Sequence, residues 1–150
     1  MKKLTLAAML TAGMLTACHQ KDNQTKTEEN MQKSELTQEW DKVFPKSDKV
    51  DHRKVTFETQ YGLTLAADLY EPKDAAPGKL AAIAVSGPFG AVKEQSSGLY
   101  AMRMAERGFV ALAFDPSYTG ESSGEPRRTA SPDINTEGLL RLLHHPAWLP

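Results

Sequence analysis

Acyl-transfer chemistry combines a serine nucleophile with a base and a carboxylate that orients the base. The most suggestive serine here is Ser122, in the string Gly120-Glu121-Ser122-Ser123-Gly124, which satisfies G-x-S-x-G. A working nucleophile elbow needs a strand running straight into the serine and a helix leaving it. Here an apolar run ends at Phe114, polar residues intervene and Pro126 follows, so Ser122 sits in a poor elbow. The bases on offer are His19, His52, His144 and His145. His19 and His52 lie in polar surroundings and read as solvated. His144 and His145 follow the last helical pattern and precede Pro146, where a cation suits the negative end of a helix dipole. Two adjacent histidines without spaced partners do not close around zinc, so no metal site is expected. Neither G-x-G-x-x-G nor a P-loop lysine pattern is present, and no cofactor is expected.

The elements that must position these residues are readable from periodicity. Val55 to Gln60 alternates, as does Leu63 to Tyr70, and Tyr61-Gly62 between them makes the pair a β-hairpin. Leu80 to Val85 is apolar throughout, as expected of a strand buried on both faces of a parallel sheet. The loop Ser86-Gly87-Pro88-Phe89-Gly90 follows it. Leu99, Met102 and Ala105 predict an amphipathic helix from about Ser96 to Arg107, ended at Gly108. Phe109 to Phe114 is a second short apolar run, so strand, helix and strand form a βαβ unit. Asp115 to Pro132 is a loop dense in Gly, Ser and Pro, with Asp115 placed to bond its own backbone. Asp133 to Leu143 predicts a last helix, with Asp133 able to cap it. Upstream, Leu36, Trp40, Val43 and Phe44 are spaced for a short helix within Met31 to Phe44, stopped by Pro45, in which Trp40 is a packing anchor.

At 150 residues, 40% apolar and 25% charged, with a net charge of −1, the composition is ordinary for one globular domain. A near-neutral balance supplies no basic footprint for nucleic acid. The single cysteine, Cys18, excludes an internal disulfide.

Together these elements resemble the front of an α/β-hydrolase. The resemblance rests on the hairpin with Tyr61-Gly62-Leu63, the strand ending in Val85-Ser86-Gly87-Pro88-Phe89-Gly90, the step Lys93-Glu94-Gln95, and Phe114-Asp115 ahead of Gly120 to Gly124. It covers about Val55 to Thr136 and is nearest to the dienelactone-hydrolase-like and peptidase-like serine hydrolases. The fold it implies is α/β: the N-terminal half of the hydrolase fold, a β-hairpin followed by βαβ with parallel strands. It also implies that backbone N–H groups after the first buried strand form an oxyanion hole. Pro88 has no N–H to offer, which leaves Phe89 first and Gly90 second. The plain alternative is a tight turn feeding the helix. By the same resemblance the nucleophile, acid and histidine come from later strands, so the segment at Gly120 to Gly124 precedes the true elbow. The substrate class implied is a small-molecule ester, thioester or amide.

The start of the chain resembles a bacterial lipoprotein signal. Lys2 and Lys3 precede an apolar run, Leu4 to Leu15, too short to span a bilayer, and Leu15-Thr16-Ala17-Cys18 matches the lipobox. The resemblance implies a signal peptide over residues 1–17, lipid on Cys18, and a protein exported and membrane-anchored on the periplasmic or cell-surface side of the envelope. Residues 18–48 then read as a polar tether and residues 49–150 as a partial hydrolase domain. Beyond Thr136 the sequence departs from the family pattern, which suggests a lost reading frame or a cut near Glu137. A chain so shortened leaves an apolar strand with an open edge, and is expected to be marginal, aggregation-prone and inactive on esters. Two other readings remain: a non-catalytic lipid-anchored binding protein, and a minimal enzyme using Ser122 with His144 or His145.

Overall fold

The computed structural model describes residues 36–37, 39–75 and 78–144. Strands β1 (Val50–Glu58) and β2 (Thr64–Pro72) form the expected hairpin, antiparallel from Val50 opposite Pro72 to Glu58 opposite Thr64. Pairing begins earlier in β1 than the apolar alternation suggests. His52, Arg53 and Lys54 can occupy strand positions because each finds a carboxylate partner.

Strand β3 (Ala82–Ser86), helix α1 (Ser96–Ala105) and strand β4 (Val110–Phe114) complete the βαβ unit. β3 and β4 run parallel, from Ala82 opposite Val110 to Ser86 opposite Phe114. The four-stranded sheet has the order β1-β2-β4-β3, with β4 antiparallel to β2. Among the described residues β3 therefore has one neighbour. This changes its burial from the expectation: Ile83, Ala84 and Val85 are half-buried, while Ala82 and Ser86 are exposed. β2, flanked on both sides, buries every residue from Leu65 to Tyr70.

Period-two alternation divides the core between the two faces of the sheet. Tyr70 and Ala113 point to one face, where Ala101, Met102 and Ala105 of α1 cover them. Leu65, Leu69, Leu112 and Phe114 point to the other, where Leu142 of α2 (Pro132–Leu143) packs. Burying Leu142 contributes about 1.5–3 kcal/mol. It is a narrow attachment, because Leu139, Leu140 and Leu143 of the same helix stay exposed. Ser131 rather than Asp133 occupies the N-cap position of α2. Asp133 lies in the first turn, where its charge still suits the positive helix end.

The described part of Met31 to Phe44 forms no helix. Trp40 instead donates its Nε1–H to the Phe44 carbonyl at 2.8 Å and meets the Phe44 and His52 rings edge-on. The Val43 N–H donates to the Glu94 carbonyl at 3.1 Å, and Phe44 enters the core. These tertiary contacts outweigh a helical spacing that is only a weak local preference. No helix among the described residues is long and apolar enough to cross a membrane.

Candidate active site

Parallel pairing that ends at Ser86 and Phe114 brings two loops side by side at the carboxyl ends of β3 and β4. In open α/β sheets this is where ligands bind. The first loop turns on a bond from the Ala91 N–H to the Pro88 carbonyl, at 3.0 Å. Among the described residues, the Phe89 and Gly90 N–H groups have no acceptor, and Phe89 is 74% exposed. Both residues line a cleft of about 400 Å³ whose lining also includes Gly87, Phe114, Pro116, Thr119, Asn135 and Leu139. A second recess of about 460 Å³ shares Phe89, Gly90 and Thr119 with the first and is further lined by Tyr118, Gly120, Arg127 and Arg128.

Asp115 holds the two loops together. Its buried carboxylate accepts the Lys93 N–H at 2.8 Å on Oδ1, and the Glu121 N–H and the Lys93 ammonium at 3.0 Å each on Oδ2. A Cβ at Gly120 would overlap this carboxylate, and its φ of +54° is one that glycine adopts without strain. The expectation that Asp115 organises its own loop is met, and the bond to Lys93 extends its hold to the β3–α1 loop.

Lys93 is also the first link of a chain of alternating charges. Its ammonium pairs with Glu94 and, at 2.6 Å, with Glu121. Lys54 lies 2.7 Å from both Glu121 and Asp41. Lys42 pairs with Asp41 and, at 3.0 Å, with Asp68, whose other oxygen is 2.8 Å from His52 Nε2. Burial alone would lower the pKa of Lys93, but Asp115, Glu121 and Glu94 outweigh it and raise the pKa. For Asp41 burial pushes upward, yet Lys42 and Lys54 bring its pKa down to about 2. Glu121 is likewise lowered by Lys54 and Lys93 against the opposing effect of burial. Asp41, Glu94 and Glu121 converge closely enough to suggest a metal site. The Lys54 and Lys93 ammoniums already sit among them and pair with all three.

Ser122 is buried and its hydroxyl is committed on both sides. It donates to the Asp115 carbonyl at 2.7 Å and accepts the Ala66 N–H at 2.9 Å, bracing β2 against the end of β4. His52 is not in open solvent: it lies within β1, between the rings of Trp40 and Tyr70, with Asp68 on its Nε2. His144 Nδ1 is 2.8 Å from the Leu140 carbonyl at the end of α2. Cys18, His19 and His145 lie outside the described residues. Sequence reasoning located the loop and Asp115 but missed the lysine–carboxylate chain. Its members are distant in sequence, and each alone reads as a solvated charge.

No family model matches the chain. It is 67% identical over 121 residues to the uncharacterized protein PA2218 of Pseudomonas aeruginosa, covering 81% of this chain and 32% of that protein. The crystal structure of that protein superposes with a TM-score of 0.73, over 77% of this chain and 36% of that chain. The uncharacterized protein YcjY of Escherichia coli is 44% identical over 84 residues, 55% of this chain and 28% of its own length. The α/β hydrolase GrgF from Penicillium sp. sh18 is 30% identical with a TM-score of 0.53, over 62% of this chain and 31% of that chain. The chain thus spans about a third of the length of the curated relatives it matches. Strand order, the parallel β3–β4 pair and these likenesses agree on an α/β architecture that matches part of the α/β-hydrolase fold.

Proposed function

We propose that this chain is the leading portion of an exported, lipid-anchored serine hydrolase that acts on ester, thioester or amide bonds. Phe89 and Gly90 supply the oxyanion hole, and the nucleophile, acid and histidine lie in polypeptide outside these 150 residues. One observation carries the reading: two acceptor-free N–H groups sit beside a cleft at the carboxyl ends of two parallel strands. As a serine oxygen attacks the substrate carbonyl, the carbonyl oxygen gains negative charge. Fixed donors stabilise that charge without having to reorganise. The alcohol, thiol or amine then leaves with a proton, and water releases the acyl group.

Ser122 in this reading is structural. Freeing its hydroxyl for attack would strip the Ala66 N–H of its acceptor and break the contact to Asp115. The isolated chain is accordingly without turnover. Lipid on Cys18 would hold the protein at the membrane, since each buried methylene contributes about 0.8 kcal/mol.

A fusion of this chain to the remaining two-thirds of the P. aeruginosa relative tests the reading. The fusion should hydrolyse p-nitrophenyl butyrate and be silenced by a serine-directed phosphonate, whereas the 150-residue chain should do neither. Replacing the Phe89 N–H by an ester oxygen should lower kcat about 10²–10³-fold in the fusion. Phosphonate capture on Ser122 of the isolated chain would overturn the assignment, and an inert fusion would favour a binding protein. Loss of membrane fractionation in Cys18→Ser checks the anchor.

A further inference from the structure

The two recesses flanking Phe89 and Gly90 differ in chemistry. The one toward α2 is walled by the apolar Phe114, Pro116, Pro132 and Leu139 together with uncharged polar residues, Thr129, Asn135 and Thr136 among them, and no charged side chain among the described residues lines it. The other is walled by Tyr118, Arg127 and Arg128. Among the described residues neither arginine forms an ion pair, although the surrounding carboxylates Asp115 and Glu121 are both taken by lysines. Arg127 spends its guanidinium on main-chain carbonyls: Ser122 at 2.5 Å, Gly120 at 2.6 Å and Gly124 at 3.3 Å. Those bonds fix its position but supply no ion pair among the described residues. Glu125 is exposed, and its carboxylate is turned to the Arg127 N–H at 2.9 Å. The Arg128 guanidinium has no partner among the described residues and is exposed at the wall of the recess.

The backbone that presents Arg128 is held in an unfavourable conformation. Tyr118 and Arg128 have φ of +70° and +62°, a left-handed region that costs a side-chain-bearing residue roughly 1–2 kcal/mol. The two strained residues are bonded to each other, Arg128 N–H to Tyr118 carbonyl at 2.8 Å, while the Tyr118 N–H donates to Ser123 at 2.9 Å. The Tyr118 ring fills the space a Cβ at Gly124 would need. Strain of this kind persists where the surrounding structure over-determines it, and such places cluster at ligand-binding sites.

We infer that the recess bounded by Tyr118, Arg127 and Arg128 is an anion subsite, so that the substrate carries an apolar group on one side of its reacting carbonyl and a carboxylate or phosphate on the other. The inference rests on the reading of Phe89 and Gly90 as the carbonyl's donors. A recess with two guanidiniums that form no ion pair among the described residues concentrates anions at its mouth, and the Arg128 guanidinium, without a partner among those residues, can match carboxylate or phosphate oxygens two at a time.

Three unreactive probes separate the parts of this claim: N-butyrylglycine, neutral N-butyrylglycinamide and the phosphate ester N-butyryl-O-phosphoethanolamine. Each is titrated into the 150-residue chain while the backbone amides of Phe89 and Gly90 and the Arg128 Nε–H are followed by NMR. At least one anionic probe should saturate all three signals and bind at least tenfold more tightly than the neutral amide. Whichever of the two binds more tightly identifies the anion. Arg128→Gln should cut that affinity at least fivefold, with Arg128→Lys retaining part of it and Arg103→Gln none of the loss. Thermal melting confirms that the variants stay folded. Equal binding of charged and neutral probes at Phe89 and Gly90 sinks the anion subsite and leaves the donor reading intact. An anion that moves Arg128 but not Phe89 or Gly90 does the reverse. If no probe binds, both fail.

Discussion

The two sides of this sheet are built to different standards of completeness. From β1 through β2 to β4, interior positions are filled and every buried charge meets an opposite one, in a chain running from His52 and Asp68 through Lys42, Asp41, Lys54 and Glu121 to Lys93 and Asp115. Around β3 and α2 the reverse holds. Among the described residues β3 has a neighbour on one side, Leu140 is 51% exposed and Leu143 46%. The first region is a scaffold that fixes two loops relative to each other. The second presents what those loops offer and leaves apolar surface for something else to cover.

The sharpest way to break that contrast is to remove a cation from the closed side. Lys93→Met leaves the buried Asp115 without its lysine and the half-buried Glu121 with one partner fewer, and breaking a buried ion pair costs about 3–5 kcal/mol. Urea denaturation should show that loss, and the Phe89 and Gly90 amide signals should broaden as the two loops uncouple. Arg103→Gln, which removes an exposed pair with Glu106, should change stability by about 1 kcal/mol or less. Equal effects from the two would mean that the lysine–carboxylate chain holds nothing in place. Next in size is Ser122→Ala, which orphans the Ala66 N–H and should cost about 1–3 kcal/mol by the same measurement. In an active fusion it should leave kcat unchanged at a temperature where the protein stays folded, unlike loss of a nucleophile.

The hairpin, both parallel strands and α1 were legible because apolar period is a local property: Val55, Phe57, Leu65 and Leu69 announce their faces whatever lies around them. Asp115 was legible for a related reason, being the polar residue that closes the apolar run from Phe109. The charge chain was not, because Lys42, Lys54 and Glu121 acquire partners only through the fold. Trp40 shows the limit from the other side. Its spacing to Val43 and Phe44 fits a helix turn, but the chain does better by giving its indole N–H to Phe44 and bonding Val43 to Glu94. Edge position, too, is a property of the whole sheet. An apolar run such as Leu80 to Val85 looks the same whether one neighbour flanks it or two.

Acid should weaken the closed side selectively. Asp41 and Glu121 have pKa values below the ordinary 3.8 and 4.5, so their ionised forms stabilise the fold fully above those values. That contribution is lost as pH falls through the folded-state values, from about pH 4.5 down to about 2. Lys54 and Lys93, raised above 10.5, contribute fully below that value and lose their effect only as pH rises past it. Melting temperature should therefore be nearly level from pH 5 to about pH 10 as far as these groups decide it. Asp41→Asn should flatten the acid limb, and an unchanged limb would place the acid sensitivity elsewhere.

The smallest expected change in stability comes from the open side, and there its smallness is the point. Leu140 and Leu143 are about half exposed along one face of α2, while Leu142 and Gly138 pack that helix on the sheet and Glu137 accepts the Gln60 N–H at 2.9 Å. Replacing both by serine removes no buried contact, so the free energy of unfolding should move by about 0.5 kcal/mol or less. What should change is association: exposed apolar surface beside a strand edge that has no partner among the described residues favours contact between chains, and polar residues there weaken it. Sedimentation velocity at rising concentration separates the two quantities. A double variant that melts several degrees lower would mean that these leucines are already packed within this chain, and the contrast between a closed and an open side would fail at its open end.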